Sequence, residues 1–323
     1  MIIESLSIIC FALILDFTLG DPKNKYHPTA WIGKLIAKLT PVCKNSSDYL
    51  EKLGGIFLIL ISCSIVGSIL IFLDFGINLI TIDYLSVIIF VIVGGILLKT
   101  TMAIKGMEKH ALAVVDSLER NDISSARNSL SMIVKRNTKD LDKNHVFSGV
   151  VESISENTVD GITGPLFYFG LFGLPGAFIY RVINTADSMI GYKTSIFKNI
   201  GWFAANSDKA LNFLPSRLTG LTMILSAMIL GYDWKESCKI MIRDGKKTES
   251  PNAGYPMAAI AGALGTKFEK INHYSLGNGK VEFSKDHVKS AISLMKLTSI
   301  IFCGIIVFPT VIFLSYVGWW AHA

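Results

Sequence analysis

The chain has 323 residues, of which 51% are hydrophobic and 17% charged, and its formal net charge is +6. With a mean hydropathy of +0.48, it is too apolar and too long for one ordinary water-soluble domain. Its basic residues lie mainly in segments between apolar runs, a pattern typical of membrane proteins, so we predict no nucleic-acid partner.

The apolar residues are concentrated in four runs, at 1–20, 53–73, 84–104 and 297–320. Each run approaches or exceeds the roughly 20 residues that a helix needs to cross the hydrocarbon core. The first run has no basic segment before it and no small-residue cleavage site, so we expect it to remain in the mature chain. The sequence predicts a polytopic protein whose partner is the lipid bilayer.

Charge predicts the orientation, because basic residues in short loops stay cytoplasmic. Residues 21–52 contain six lysines, whereas 74–83 contain no Lys or Arg. We therefore expect the N-terminus outside, 21–52 inside and 74–83 outside, with the basic segment 105–150 inside again. This places the polar motifs at the cytoplasmic side of the plasma membrane, and the last run would end outside.

The middle of the chain does not follow simple topology. Segment 105–150 has the period of two or three amphipathic helices, with a break at Asn121. Segment 161–183 is long enough to span, but prolines and glycines interrupt it, and 218–231 is short for a span. Either both segments cross or neither does, and we favour two elements that do not cross fully.

These observations predict an all-α, polytopic integral membrane protein with broken or re-entrant helices and a cytoplasmic amphipathic helical segment. We expect one membrane-embedded domain over 1–323. Its predicted parts are three transmembrane helices at 1–104, amphipathic helices at 105–160, broken helices and motif loops at 161–289, and a C-terminal transmembrane helix at 290–323.

The stretch "VVESISENTVDG" spaces Glu152, Glu156 and Asp160 four residues apart. On a helix these side chains lie within about 80° of one face. Four apolar residues fall on the opposite side, namely Phe147, Val150, Val151 and Ile154. This pattern is typical of a solvated face, and the alternative is a set of carboxylates that hold Mg²⁺ beside a phosphate.

A second polar stretch, "YRVINTADSMIGYK", follows the broken segment. It carries five polar candidates, namely Arg181, Asn184, Asp187, Ser188 and Lys193. Ionisable groups near membrane depth are functional candidates by default. The alternative is an interfacial cap with ion pairs.

A third stretch, "RDGKKTESPNAGYPMAAIAGALG", contains Arg243, Ser250 and Asn252 around a tight turn. Backbone N–H groups of such a turn can open a helix N-terminus towards an anion. The small residues after it permit close helix packing, and a packing helix without a ligand is the alternative. The sequence has no Walker A motif, so a nucleotide would bind in another way.

Near the start, "LDFTLGDPKNKYHPTAWIGKLI" places Asp16, Asp21, His27 and Trp31 where the first run ends. A His-Pro pair in a loop is more often structural than catalytic. These residues become candidates only together with the other motifs.

Taken together, the chain resembles the adenosylcobinamide-phosphate synthase family of cobalamin biosynthesis, the CbiB/CobD membrane proteins. The resemblance rests on the stretch near the start, on "YRVINTADSMIGYK" and on "SPNAGYPMAAIAGALG". It rests also on "LSMIVKRNTKDLD", "VESISENTVDGITGPLFY" and "GWFAANSDKALNFLPSRLTGL". The motifs occur in the family's order and cover nearly the whole chain apart from 41–104.

The resemblance implies an ATP-dependent ligase that joins a propionate of adenosylcobyric acid, a corrinoid, to aminopropanol or its O-phosphate. It implies Mg²⁺ as cofactor and ATP as co-substrate, and other cobalamin-biosynthesis enzymes are candidate partners. The implied metal ligands are Glu152, Glu156, Asp160 and Asp187, and His27 joins these four in the implied catalytic set. The implied substrate and phosphate ligands are Asp21, Trp31, Asn157, Arg181, Asn184, Ser188, Lys193, Arg217, Arg243, Ser250 and Asn252.

In one place the chain departs from the family pattern. Where the family usually has Gly-Arg-Asp-Thr, this chain has Lys135, Arg136, Asn137 and Thr138. The replacement of Asp by Asn137 argues for a polar or hydrogen-bonding role at this position. Two other functions stay open, a membrane carrier of corrinoids and a scaffold that assembles cobalamin enzymes. No inverted pair of hydropathy halves supports transport.

Overall fold

The structure is a computed structural model that describes residues 2–22, 24–134, 136–270, 273–319 and 321. The described residues are mainly helical, so the predicted all-α fold is confirmed. The helices before the middle of the chain are α1 (Ile2–Leu19), α2 (Pro28–Cys43), α3 (Asp48–Asn78), α4 (Asp83–Lys99), α5 (Ile104–Glu119), α6 (Ile123–Ser131) and α7 (Lys143–Thr158). The later helices are α8 (Gly164–Ile190), α9 (Trp202–Leu211), α10 (Phe213–Ile229), α11 (Trp234–Asp244), α12 (Gly254–Ala263), α13 (Lys285–Phe302) and α14 (Phe308–Tyr316).

Shorter elements complete the chain. A 3₁₀ turn covers Asn24–Tyr26, and π-helical segments cover Val159–Thr163 and Cys303–Val307. Strands β1 (Lys267–Lys270) and β2 (Tyr274–Gly277) form an antiparallel pair. The sequence predicts no strand here, because each strand has only four residues and no sustained alternation of apolar and polar positions.

Five helical segments are long and apolar enough to cross a membrane in the described part of the chain. They are Ile2–Leu19, Asp48–Ile77, Asp83–Glu119, Lys143–Ile190 and Lys285–Tyr316. Each of the four predicted apolar runs overlaps one of these segments over most of its length, and the protein is a multi-pass membrane protein. The remaining segment, Lys143–Ile190, contains the interrupted run 161–183, whereas Phe213–Ile229 is a shorter apolar helix. The expectation that neither of these two crosses fully stays a prediction.

The chain divides into two compact units. Unit one comprises Met1–Ala103, Gly164–Leu211 and Ile305–Ala323, and unit two comprises Ile104–Thr163 and Asn212–Gly304. Each unit therefore combines segments that are far apart in the sequence. That all 323 residues form one membrane-embedded domain stays a prediction.

Unit one has a core between α2, α3 and α8. Its buried side chains include Ile36 from α2, Leu58 from α3 and Val182 from α8. Helix α4 packs closely on α1, since a Cβ at Gly94 would lie 2.7 Å from Ile8 Cδ1. Glycine at this contact lets the two helices approach, as in other membrane helix pairs.

Helix α8 is broken where the sequence predicted an interruption. Phe172 and Gly173 leave the helical conformation, and Gly173 has φ +62° and ψ −155°, which only glycine adopts readily. Pro175 has no N–H to donate to the Leu171 carbonyl four residues earlier. The indole of Trp319 donates to that carbonyl instead, at 2.8 Å. The carbonyl that the break leaves without its helical donor therefore has a donor from the protein, as a membrane helix requires.

Unit two surrounds α7. Val146, Val150 and Ile154 are fully buried, and α7 packs against α5, α6, α12 and α13. The predicted close packing of the small-residue helix is confirmed, because a Cβ at Gly262 in α12 would lie 2.6 Å from the Glu236 carbonyl oxygen in α11.

The predicted amphipathic helices of 105–150 are also present in unit two. Helix α5 buries Met107, Val115 and Leu118. The predicted break falls at Asn121, whose φ of 57° lies in the left-handed region. Helix α6 begins directly after Asp122, whose side chain accepts a hydrogen bond from the Ser125 N–H.

Candidate functional site

The predicted site residues fall into two sets, one in each unit. Unit one contains Asp21, His27, Trp31, Arg181, Asn184, Asp187, Ser188 and Lys193. Unit two contains Glu152, Glu156, Asn157, Asp160, Arg217, Arg243, Ser250 and Asn252. The geometry of each set is described within its own unit.

Glu152 lies at the buried centre of unit two, with 7% of its surface exposed. Its carboxylate accepts hydrogen bonds from Ser148 Oγ at 2.7 Å and from the Tyr274 hydroxyl at 3.0 Å. Arg136 approaches the same carboxylate with both terminal nitrogens at 3.4 Å. Of the two interpretations of this face, the solvated one is wrong for Glu152, because neighbouring elements cover α7 on that side too.

Tyr274 joins strand β2 to α7 through this carboxylate. Burial raises the pKa of the Tyr274 phenol well above its usual range, and the adjacent Glu152 carboxylate raises the pKa further. The phenol therefore remains protonated and donates its hydrogen bond at every physiological pH. Tyr274 was not singled out in the sequence, and Arg136 was named only within the segment that departs from the family pattern, since each contact joins residues that are distant along the chain.

The other two acids of the motif have different surroundings. Glu156 is exposed, whereas Asp160 is partly buried and accepts a hydrogen bond from the Asn212 amide at 3.1 Å. Asp160 lies in the π-helical segment, where the chain turns more slowly than in an α-helix. The side-chain amide of Asn157 donates to the Ser153 carbonyl at 2.9 Å. The three acids therefore do not form one exposed stripe.

Among the described residues, no group of three or more His, Cys, Asp or Glu side chains is arranged to hold a metal ion. The residues still fit a magnesium site with fewer protein ligands, because Mg²⁺ is often held by one or two carboxylates together with substrate phosphates. Glu156 and Asp160 would suit such a site, whereas both oxygens of Glu152 already accept hydrogen bonds. The predicted metal ligands stay a prediction.

The segment that departs from the family pattern forms a turn beside α7. Lys135 lies outside the described residues. Asn137 is exposed, and its side-chain oxygen accepts from the Lys139 N–H at 3.0 Å, while Thr138 donates to the Arg127 carbonyl at 3.0 Å. Asn137 therefore has the hydrogen-bonding role that its replacement of Asp suggested.

Arg243 forms its hydrogen bonds with groups of the protein itself. Its guanidinium donates to both oxygens of Asp244 at 2.7 and 2.6 Å, to Asn278 Oδ1 at 2.7 Å and to the Gly277 carbonyl at 3.2 Å. All three guanidinium nitrogens have protein acceptors. These contacts use four of the five N–H groups, so a bidentate grip on a substrate anion, as predicted for Arg243, would require some of them to break.

Asp244 is fully buried and was not predicted as important. Its carboxylate also accepts from Lys247 Nζ and from the Gly277 N–H, at 2.6 and 2.8 Å. Burial alone would raise the pKa of Asp244, but the hydrogen bonds from Arg243, Lys247 and Gly277 hold the pKa well below its ordinary value. Asp244 therefore joins α11 to the end of strand β2.

The predicted turn before α12 is present. Ser250 Oγ accepts from the N–H groups of Asn252 and Ala253, both at 3.4 Å. Asn252 is buried, and its side-chain oxygen accepts from Arg217 Nη1 at 3.2 Å. The structure thus brings together three of the predicted phosphate ligands, namely Arg217, Ser250 and Asn252.

In unit one, a buried charge cluster joins the end of α1 to the end of α4. Lys99 lies 2.6 Å from Asp21 and 3.4 Å from Asp16, and both Lys99 and Asp16 are buried. Burial would raise the pKa of Asp21, but hydrogen bonds from His27 and Lys99 lower it below its ordinary value. Lys99 was missed in the sequence because 78 residues separate it from Asp21.

His27 caps a helix in this cluster. Its Nδ1 accepts from the Thr29 N–H at 3.2 Å, at the N-terminus of α2, and its Nε2 lies 3.6 Å from Asp21. Because Nδ1 accepts this hydrogen bond, it carries no proton. The nitrogen of His27 that could accept a proton is therefore the one that caps α2. Trp31 is half exposed, and its indole donates to the Lys25 carbonyl at 2.9 Å. That His27 acts as a base stays a prediction.

The second polar motif forms a network between α8 and α9. Arg181 Nη1 donates to Asn184 Oδ1, and the Asn184 amide donates to Asp208 Oδ1, both at 3.1 Å. The carboxylate of Asp187 packs directly on Gly191, where a Cβ would lie 2.1 Å from Asp187 Oδ1. Asp208 was not predicted, although it lies within one of the quoted motifs.

Ser188 and Lys193 are exposed in unit one. A cavity of about 280 Å³ lies beside the break in α8, between Tyr168, Phe172, Ile179 and Leu211. Its volume is below the range of about 300–1,000 Å³ that holds drug-sized ligands. This cavity is therefore too small for a corrinoid.

Comparison with known proteins agrees with these motifs. A family model described as CobD/Cbib protein matches residues 9–295. The chain belongs to the CobD/CbiB family. No solved structure matches the chain.

Curated members of the CobD/CbiB family are similar over most of the chain. A probable cobalamin biosynthesis protein CobD of Methanothermobacter thermautotrophicus is 38% identical over 299 residues, which are 93% of this chain and 96% of that protein. The protein of the same name from Methanocaldococcus jannaschii is 40% identical over 281 residues, 86% of this chain and 90% of that protein. The cobalamin biosynthesis protein CobD of Dehalococcoides mccartyi is 38% identical over 275 residues, 85% of this chain and 87% of that protein.

Proposed function

We propose that the protein is an amide-forming ligase of cobalamin biosynthesis. It joins a propionate of adenosylcobyric acid to (R)-1-aminopropan-2-ol or its O-phosphate, and it consumes ATP. The observation that carries the proposal is the family match over residues 9–295, together with relatives that are named cobalamin biosynthesis proteins. The ligase chemistry itself comes from the resemblance of the motifs.

The reaction needs two transfers. A carboxylate is a poor electrophile, so the propionate oxygen first attacks the terminal phosphorus of ATP, which forms an acyl phosphate and releases ADP. The neutral amine then attacks the acyl carbon, the amide bond forms, and inorganic phosphate leaves with the bond electrons. The ammonium form of the amine has to lose one proton before it attacks.

The chain's own acids suit this chemistry to different degrees. Mg²⁺ bound with ATP would neutralise charge on the transferred phosphoryl group. Exposed Glu156 and partly buried Asp160 fit as its ligands in unit two. Asp187 is partly buried in unit one and is a further candidate for the metal or for the amine proton. Glu152 is better suited to hold Arg136 and Tyr274 in place.

We place the reaction at the cytoplasmic side of the plasma membrane. ATP is a cytoplasmic substrate, and the lysines of 21–52 favour that side for the first loop. The described helices give the protein its membrane anchorage, and the polar motifs lie in the segments between the apolar runs.

A reconstitution assay tests the proposal. Purified full-length protein in detergent is incubated with adenosylcobyric acid, aminopropanol O-phosphate, ATP and Mg²⁺, and the corrinoid products are separated and weighed by mass spectrometry. We expect an amide product that depends on ATP and Mg²⁺, and a parallel reaction with unphosphorylated aminopropanol identifies the preferred acceptor.

The break in α8 favours one other function, a corrinoid carrier, because broken helices also form transport sites. The same assay separates the two functions. Retained corrinoid binding without amide product under any nucleotide condition would favour a carrier or a scaffold over a ligase.

A further inference from the structure

Arg217 is held in a fixed plane in the second turn of α10. The carbon of its guanidinium lies 3.6 Å from the centroid of the Phe213 ring and 4.3 Å from that of Tyr255. Stacking on aromatic faces is a favoured environment for a guanidinium. Nη1 is fixed as well, since it donates to the Phe213 carbonyl, to Ser216 Oγ at 3.3 Å and to Asn252 Oδ1 at 3.2 Å.

The remaining edge of this guanidinium is open. All hydrogen bonds that Arg217 donates to described residues leave from Nη1, and on this partly exposed residue neither Nε nor Nη2 is fully buried. No described carboxylate pairs with Arg217 either. Arg136 and Arg243 differ in this respect, because each forms an ion pair with an acid of unit two, Glu152 and Asp244 respectively.

An open Nε and Nη2 edge has two parallel N–H donors. This geometry fits two oxygens of one anion, and charge-assisted pairs of this kind are about twice as strong as neutral hydrogen bonds. The loop that holds Nη1 leads into α12, which begins at Gly254 without a side-chain cap. Helix N-termini favour negative charge, and phosphate in particular.

We infer that Arg217 binds a phosphate group of a substrate through Nε and Nη2, and that Phe213 and Tyr255 are positioning residues for this contact. The inference rests on the proposed function for the carrier of the phosphate, which is either ATP or the phosphorylated amine. The chemistry of the site is the same for both carriers.

Binding measurements test the site without the reaction. Wild-type protein, Arg217→Gln and Arg217→Lys are titrated calorimetrically with aminopropanol O-phosphate, with ATP and Mg²⁺, and with unphosphorylated aminopropanol, in the absence of corrinoid. We expect Arg217→Gln to weaken binding of the phosphate carrier about ten- to a hundredfold, the scale of hydrogen bonds to a charged group. Arg120→Gln at an exposed position is the matched control and should bind as wild type does.

Lysine keeps the charge but has no planar fork, so Arg217→Lys should fall between wild type and Arg217→Gln. A loss with the phosphorylated amine alone assigns its phosphate to the site, and a loss with ATP alone assigns the nucleotide. Unchanged binding of both phosphorylated ligands in folded Arg217→Gln or Arg217→Lys would overturn the inference. Because no amide needs to form, failure of the ligase assay leaves this test intact.

The positioning role has its own readout. The hydroxyl of Tyr255 makes no hydrogen bond to a described residue, so Tyr255→Phe keeps the stacking ring and should retain wild-type affinity. Tyr255→Leu removes the ring and should weaken phosphate binding about three- to tenfold, as expected for one cation–π contact. Equal affinity in Tyr255→Leu and Tyr255→Phe would contradict the positioning role.

Discussion

Glu152 and Glu156 lie one helical turn apart on α7, yet their surroundings separate their roles. Glu152 is buried among Ser148, Tyr274 and Arg136. The approach of Arg136 depends on Gly149, where a Cβ would lie 2.7 Å from Arg136 Nη2. Glu156 is exposed, so its carboxylate is accessible to a substrate or a metal.

Replacing each of these acids by its amide should therefore give different defects. We expect Glu156→Gln to lower amide formation about a hundredfold or more, the scale of removing one electrostatic group from a transition state, with unchanged thermal stability. Glu152→Gln leaves Arg136 without its counter-charge and should destabilise the protein by about 3 kcal/mol, the lower end for a broken buried ion pair. Wild-type turnover in Glu156→Gln would contradict the proposed metal site, and an unchanged melting temperature in Glu152→Gln would contradict the structural role.

The sequence predicted the acids of this motif but not their environments. A helical wheel describes one isolated helix, so it could not show that β2 and the turn at Arg136 cover the side of α7 that carries Glu152. The same limit explains why Lys99 and Asp244 were missed. Their importance comes from partners that the fold brings close, whereas residue type and spacing were the only signals in the sequence.

At the scale of elements, the hairpin of β1 and β2 is held at two points. Tyr274 donates to Glu152 near the start of β2, and the Gly277 N–H donates to Asp244 at its end. Phe268 and Leu276, which are paired across the strands, are fully buried. A strand pair this short is marginal alone, so these contacts stabilise it.

The contacts of Asp244 predict that part of the protein's stability is lost in acid. The pKa of Asp244 is depressed in the folded protein, so its stabilising contribution is complete above the unfolded pKa of about 4 and is lost as the pH falls below that value. We expect Asp244→Asn to lower the free energy of unfolding by about 2 kcal/mol at pH 7, because its exposed cationic partners remain solvated. Thermal melts in detergent should show this difference shrinking below about pH 4.

Asp140→Asn is the matched control for that experiment, because Asp140 is exposed and should melt as wild type does at each pH. A destabilisation by Asp244→Asn that is the same at pH 3 and at pH 7 would show that the charge of Asp244 is not its cause.

The elements themselves were predictable to different degrees. The break in α8 followed from its prolines and glycines, because a proline such as Pro175 lacks an N–H whatever residues surround it in the fold. The partner of the freed Leu171 carbonyl did not follow, because Trp319 is 148 residues away. The hairpin was missed because its stability comes from contacts with other elements rather than from a strand pattern.

At the scale of the whole molecule, hydropathy was the strongest signal. The four predicted apolar runs each overlap a segment that is long enough to span, because lipid allows few charges over about 20 residues. The path through the bilayer depends on α8 and α10, which are broken and short respectively. If neither crosses fully, the loop between α8 and α9 is cytoplasmic.

Cysteine labelling in intact cells tests this path. Lys198 is exposed in that loop, whereas its neighbour Ile200 is buried, so Lys198→Cys is the suitable reporter in a background without the five native cysteines. We expect no reaction with a membrane-impermeant maleimide added from outside, and full reaction after permeabilisation. Thr81→Cys, in the loop predicted to lie outside, serves as the positive control. Labelling of Lys198→Cys in intact cells would place this loop outside, and α8 would then have to cross the bilayer.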